Sequence, residues 1–164
     1  MIKIGLMSDT HGYLDDSVFK HFDQCDEIWH AGDFGNIELA DRLSKFKPVK
    51  GVYGNIDDQA VRLVYPEHLK FKCEQVNVFI THIGGYPGKY NSGIKEVWSQ
   101  NSTDLFICGH SHILKVIYDK KISCLHLNPG AAGKIGWHKV RTLIRFSVSD
   151  QKIHTLEVIE LGIR

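Results

Sequence analysis

The sequence predicts a mixed α/β fold with a parallel-leaning front and a β-rich back, and three observations carry that expectation. In the first half, short apolar runs alternate with stretches of helical spacing, the pattern of βαβ units around a mostly parallel sheet. After Pro66 the spacing switches to the strict alternation of a hairpin. Beyond Leu105, apolar runs are separated only by turn residues, which reads as antiparallel β. With 164 residues, 43% hydrophobic and 24% charged, the chain fits a single domain over 1–164 with a real core.

Taken in order, Ile2 to Met7 is the first strand. Leu14, Val18, Phe19 and Phe22 then share one helical face, Glu27 to Ala31 reads as a strand, and Ile37 to Phe46 as a second helix. Val49 to Tyr53 is the third strand. Leu69 to Cys73 and Val76 to Ile80 form a hairpin about Glu74-Gln75. The segment from Gly84 to Gly93 carries four glycines and a proline and reads as an irregular loop. A short helix over 94–99 and a strand from Leu105 to Cys108 follow. Leu114 to Tyr118, Ile122 to Leu127, Thr142 to Val148 and Ile153 to Ile159 complete the chain as strands.

A formal net charge of +1 provides no global field for nucleic acid or an anionic membrane. No stretch is apolar long enough to span a bilayer, and Met1 leads straight into a strand rather than a signal peptide, so a cytoplasmic location is expected. Cys25, Cys73, Cys108 and Cys124 are widely spaced and suit reduced, buried thiols. Ten histidines are more than average usage supplies.

The decisive pattern lies just beyond the strands. The first is followed by Asp9-Thr10-His11, the second by Gly32-Asp33, the third by Gly54-Asn55, the hairpin's return strand by His82, and the fifth by Gly109-His110-Ser111-His112. In open α/β sheets the carboxyl ends of strands share one edge, where ligands bind. The intervals of about 22 to 28 residues match a strand plus its return connection. Taken singly, each piece has a blander reading: a capped turn at Asp9, a helix N-cap at Asp33, a turn residue at Asn55, a packed imidazole at His82. Together they would need five independent reasons for polar groups at matching strand ends. Seven residues (Asp9, His11, Asp33, Asn55, His82, His110, His112) exceed the needs of one tetrahedral zinc and suit two cations about 4 Å apart with a shared carboxylate. Nitrogen and oxygen ligation without thiolate fits Mn, Fe, Co, Ni or Zn. Such a pair attracts phosphate anions and supplies a bridging hydroxide as nucleophile.

In this order, these five blocks resemble the calcineurin-like metallophosphoesterase family over about residues 2–133, and the Asn128-Pro129-Gly130 turn is similar to its small prokaryotic YfcE-type branch. The resemblance implies a four-layer αββα sandwich of two mixed sheets, with the dimetal site at the strand carboxyl ends. It implies that Asp9, His11 and His112 hold one metal, that Asp33 bridges, and that Asn55, His82 and His110 hold the second. Asn55 could also touch the substrate phosphate. Manganese is the first expectation for both metals, with Fe, Zn, Ni or Co as alternatives.

Two departures stand out. Many relatives carry a histidine after the Gly-Asn of the third block, the proposed general acid, where this chain has Ile56 followed by Asp57 and Asp58. The fourth block reads His82-Ile83-Gly84-Gly85 instead of continuing Gly-His. Asp57 is a possible proton donor or an exposed turn carboxylate; His30 is a supporting or a packed imidazole. Lys89, with Tyr86 and Tyr90, is a candidate substrate contact; His126 and His138 are undecided, and His68 reads as a surface residue. The leading expectation is a hydrolase of small phosphodiesters. Monoester or nucleotide hydrolysis by the same chemistry is the alternative, and a non-catalytic scaffold like the retromer subunit of this fold is a more distant one. Nucleic acid is disfavoured as a partner for want of a Lys/Arg track; the natural substrate is open, and a homo-oligomer is allowed.

Overall fold

The computed structural model describes residues 1–98 and 102–164. Two five-stranded mixed sheets pack face to face. The first has the order β12-β11-β1-β2-β3, with β1 (Ile2–Met7), β2 (Glu27–His30), β3 (Val49–Gly51), β11 (Val140–Ser149) and β12 (Lys152–Ile163). The second has the order β4-β5-β8-β10-β9, with β4 (His68–Cys73), β5 (Val76–Thr81), β8 (Leu105–Ile107), β9 (Lys115–Asp119) and β10 (Cys124–Asn128). Three strands in each sheet are parallel: β1-β2-β3 and β5-β8-β10.

Alternation along these strands builds the central core. Ile4 and Leu6 of β1, Trp29 of β2, Val78 and Ile80 of β5, Leu105 and Ile107 of β8, and Ile144 and Phe146 of β11 meet between the sheets. The outer face of the first sheet is covered by α1 (Ser17–His21), α2 (Ile37–Phe46) and α3 (Gln59–Arg62), which bury Val18, Leu39, Leu43 and Val61 against Met7 and Ile28. α2 runs over the span its periodicity predicts and starts at Asn36, whose Oδ1 accepts the Leu39 N–H at 2.8 Å. The outer face of the second sheet is thinly covered by a 3₁₀ turn (Ser92–Ile94) and α4 (Lys95–Trp98), over Phe79 and Phe106. The four layers expected are present, the last reduced to these two short pieces. Ser99, the final residue of the helix expected over 94–99, lies outside the described residues.

The structure departs from the sequence reading in the back half. Antiparallel pairs are present there as read, β9 with β10 and β11 with β12, but they lie in different sheets. β10 lies parallel to β8, with β9 antiparallel on its far side, and β11 inserts antiparallel beside β1. Periodicity reports which face of a strand is buried; it does not report which neighbour a strand chooses. The loop from Gly84 to Gly93 holds a small ribbon, β6 (Gly85–Tyr86) with β7 (Lys89–Tyr90). α1 is only five residues, and α3 was not anticipated. No described helix is long and apolar enough to cross a membrane. The four cysteines are buried and free.

Candidate metal centre

Five of the parallel strands end at one place: β1, β2 and β3 from one sheet, β5 and β8 from the other. There Asp9, His11 and His112 form one group, and Asp33, His82 and His110 another, with the ligand atoms of each group within 4.8 Å of one another. Asn55 joins the second group, its Oδ1 3.1 Å from His82 Nε2. The seven residues singled out in the sequence therefore sit in one constellation, drawn from both sheets rather than from one sheet edge.

The backbone at these residues is unusual. Asp9, His11, Asp33, His110 and His112 all have φ between 46° and 66°. Side chains other than glycine, asparagine and aspartate rarely adopt this left-handed region. Of nine such non-glycine residues among those described, the other four (Glu74, Ser123, Asp150, Thr155) lie in strand hairpins. Strain of this kind persists where surrounding contacts over-determine it. Here the contacts are visible: Asp9 N–H donates to Gly32 O at 3.0 Å and His11 N–H to Asp33 O at 3.0 Å, locking the first two ligand loops together.

Each carboxylate is gripped by one oxygen and presents the other. Asp9 Oδ2 accepts the Ser8 hydroxyl at 2.6 Å and the His110 N–H at 3.1 Å. Its Oδ1 faces His112 Nε2 at 3.1 Å, His11 Nε2 at 3.8 Å and His82 Nε2 at 3.9 Å, and makes no hydrogen bond with any of them. Asp33 Oδ1 accepts the Ile56 N–H at 3.1 Å, while Oδ2 lies 3.1 Å from His82 Nε2 and 3.5 Å from His11 Nε2, between the two groups. His82 Nδ1–H donates to Ala31 O at 2.7 Å, so Nε2 carries the lone pair. That lone pair confronts two oxygen acceptors, Asn55 Oδ1 and Asp33 Oδ2. Three acceptors facing one another in a buried site need a cation or a proton among them. Buried Asp9 Oδ1 and His11 Nε2 without partners are the second sign that the donor set is built for metal.

The electrostatics agree. Burial alone would raise both carboxyl pKa values, but the imidazoles of His11 and His112 hold Asp9 far below the usual carboxylate range, and His82 lowers Asp33. The Asp9 partnership raises His11. At His82 the lowering effect of burial is outweighed by Asp33 and Asp9, and its pKa also rises.

Around the seven stand residues the sequence reading passed over or misplaced. Asp57 is not an exposed turn carboxylate. It is buried, and its oxygens accept the N–H groups of Phe34 (3.1 Å), Gly35 (2.8 Å) and Gly54 (2.8 Å), clamping the second ligand loop to the third. His30 is a supporting residue: Nδ1 accepts the Gly32 N–H, Nε2 pairs with the Thr10 hydroxyl, and the ring stacks on Phe34. Its complete burial drives its pKa down to about 3, so it serves as a neutral imidazole. Asn128 braces the fifth ligand loop, its Nδ2 donating to Gly109 O at 2.9 Å. His138 packs its ring 5.2 Å from His112 and donates Nε2–H to Gly133 O at 2.8 Å. Only its nearness in sequence to the 128–130 turn could have suggested it.

Lys89 is exposed on β7 and does not line the cleft beside Asn55 and His82. Tyr90 is committed elsewhere, its hydroxyl bonded to Asp119 at 2.7 Å and its ring packed on Trp98 and Phe106. Two glycines of these loops keep space for their neighbours. Gly54 and Gly109 are not needed for a left-handed turn; a Cβ at Gly54 would collide with the Asp33 carboxylate, and one at Gly109 with the Ser8 hydroxyl and Asp9.

Residues 2–151 match the calcineurin-like phosphoesterase superfamily domain. A probable metallophosphoesterase of Methanothermobacter thermautotrophicus is 28% identical over 135 residues, 78% of this chain and 76% of the relative. A phosphodiesterase of Methanocaldococcus jannaschii is 23% identical over 146 residues, 79% of this chain and 83% of the relative. Among solved structures, that of a novel archaeal phosphodiesterase superposes with a TM-score of 0.76 at 21% identity, covering 98% of this chain and 100% of its own. Wild-type Vps29 of Entamoeba histolytica complexed with zinc gives 0.71 at 16% identity, covering 97% and 99%. At such identities the structural likeness speaks for the fold alone.

Proposed function

Because this chain belongs to the calcineurin-like phosphoesterase superfamily, we propose that it is a two-metal hydrolase of small phosphodiesters. One observation carries the reading: paired carboxylates and imidazoles converge with the buried Asp9 Oδ1 and His11 Nε2 left without partners. In this proposal Asp9, His11 and His112 would hold one divalent ion and Asn55, His82 and His110 the other, with Asp33 shared between the two groups. When bound, the pair of cations lowers the pKa of coordinated water and neutralises charge on the phosphoryl oxygens. Manganese is the metal proposed first, for a nitrogen and oxygen donor set that equally accepts Fe, Co, Ni or Zn.

The chain's own residues supply orientation. Ser8 and the His110 N–H fix the Asp9 carboxylate, the Ile56 N–H fixes Asp33, and Ala31 O sets the His82 tautomer. Asn55 would contribute a neutral amide oxygen, leaving the second metal more electrophilic than a third carboxylate would, and in this reading the same amide also touches the substrate phosphate. Ile56 has no proton to give, and the oxygens of Asp57 are filled by three backbone N–H groups. Neither Ile56 nor Asp57 is therefore free to protonate a leaving group. Esters with acidic leaving groups, such as aryl phosphodiesters, should be cleaved far faster than alkyl ones.

The test is Mn²⁺-loaded protein assayed on matched aryl phosphodiesters and monoesters, with Asp33→Ala and His82→Ala as controls. The proposal expects diester turnover that falls at least 100-fold in both variants. Faster monoester cleavage would replace the diester assignment by a phosphomonoesterase of the same mechanism. Turnover indifferent to both substitutions would remove the site. The scaffold reading, which the likeness to Vps29 favours only through the shared fold, requires no turnover at all.

A further inference from the structure

A cleft of about 350 Å³ opens from the second ligand group. Asn55 and His82 line it together with Tyr53, Arg62, His68 and Asn91. Arg62 is held in a fixed pose. Its Nε donates to Asp57 O at 2.7 Å, its Nη2 to Asn55 O at 3.3 Å, and the guanidinium carbon sits 4.5 Å over the Tyr53 ring. Two of its five N–H groups are thus used, and the others have no partner among the described residues. Among the described residues it is the only arginine or lysine lining the cleft. The one acidic side chain lining it among the described residues is Glu67, 65% exposed, with His68 Nε2 4.0 Å from its Oε1. His68 Nδ1 is bonded to Thr81 Oγ1 at 2.9 Å.

A pre-oriented guanidinium with free donors beside a phosphate-binding centre is suited to grip a carboxylate or a second phosphate. We propose that this cleft receives the part of the substrate beyond the scissile phosphate, and that Arg62 selects substrates bearing a second anionic group there. The inference rests on the two-metal reading above and adds the substrate class to it: small phosphodiesters with a second acidic group, rather than neutral ones. The competing role for Arg62 is purely a clip on the turn that carries Asn55 and Asp57. A clip would support the binding of every ligand alike. A selector acts only on the charged ones.

Equilibrium binding separates the two without turnover. Alkylphosphonates of three to five carbons, ending in methyl, carboxylate or a second phosphonate, are titrated calorimetrically into the Mn²⁺-loaded full chain. The expected result is about tenfold tighter binding of a charged-ended probe than of its methyl-ended match at the best-fitting length. The carboxylate and phosphonate arms decide which anion fits. Arg62→Gln should bring that ratio close to one, and Arg62→Lys should keep part of it. The inference is overturned if no charged end is preferred at any length, or if Arg62→Gln leaves the ratio intact while weakening all probes together. If no phosphonate binds at all, the two-metal reading fails and takes this one with it.

Discussion

At the scale of the residue, three histidines of the site, His11, His110 and His112, are held on a backbone they do not favour. His110 shows this most simply, being exposed with a φ of 66°. His110→Gly and His110→Ala both delete the imidazole, but only glycine is at ease in that conformation. Metal-free His110→Gly should be more stable than His110→Ala by about 1 kcal/mol, read as a difference in chemical denaturation midpoints. Equal stabilities would mean the left-handed backbone at 110 carries no strain. A second expectation concerns protons. The raised pKa values of His11 and His82 belong to the metal-free site, where a proton takes the place of a cation. A ligand imidazole must be neutral, so metal binding must expel those protons. Affinity for Mn²⁺ should fall as pH drops, and it should still be climbing with pH above the ordinary imidazole value of 6.5. Calorimetry in buffers of different ionisation enthalpy would count the protons, and an affinity flat from pH 6 to 8 would contradict the account. The seven ligand candidates were legible in the sequence because imidazole, carboxylate and amide side chains announce their chemistry. Ser8, Thr10, Asp57 and Asn128 were not, since most of their hydrogen bonds join loops some 17 to 24 positions apart in the chain, which no local pattern records.

At the scale of the element, the site is a set of strand ends, and Gly54 and Gly109 there keep space rather than make left-handed turns. Gly109 lies against Ser8 and Asp9, both buried, so an added methyl group has nowhere to go. Gly109→Ala should therefore leave a folded protein whose Mn²⁺ affinity is at least tenfold weaker, because displacing Asp9 by a fraction of an ångström disrupts the donor geometry. Unaltered affinity, with a native far-ultraviolet spectrum, would show that the fifth loop is not packed against the first as described. Elements with strong periodicity were read well: β1, α2 and the β4–β5 hairpin fall where their spacing puts them. α3, a single turn of four residues, had too little periodicity to be seen, although Asp58 caps it by accepting the Val61 N–H.

At the scale of the whole molecule, the two sheets have a mechanical consequence. Asp9, His11, Asp33 and Asn55 rise from one sheet and His82, His110 and His112 from the other, so each proposed metal takes ligands from both. The pair of cations would rivet the sandwich at the end where the core between the sheets stops. Nothing in the sequence distinguished this from a single sheet edge. The alternation of β8, β10 and β11 gave their buried faces, whereas their partners depend on long-range pairing. The resemblance in the ligand blocks supplied the layer count that periodicity could not.

The central claim is that these side chains hold two divalent ions about one shared carboxylate, and a calorimetric titration of metal-free protein with Mn²⁺ tests it most directly. The account predicts two ions per chain, with Asp33→Ala weakening both sites because Asp33 Oδ2 lies between the two groups. A stoichiometry of zero, or two-site binding that Asp33→Ala leaves untouched, would contradict it.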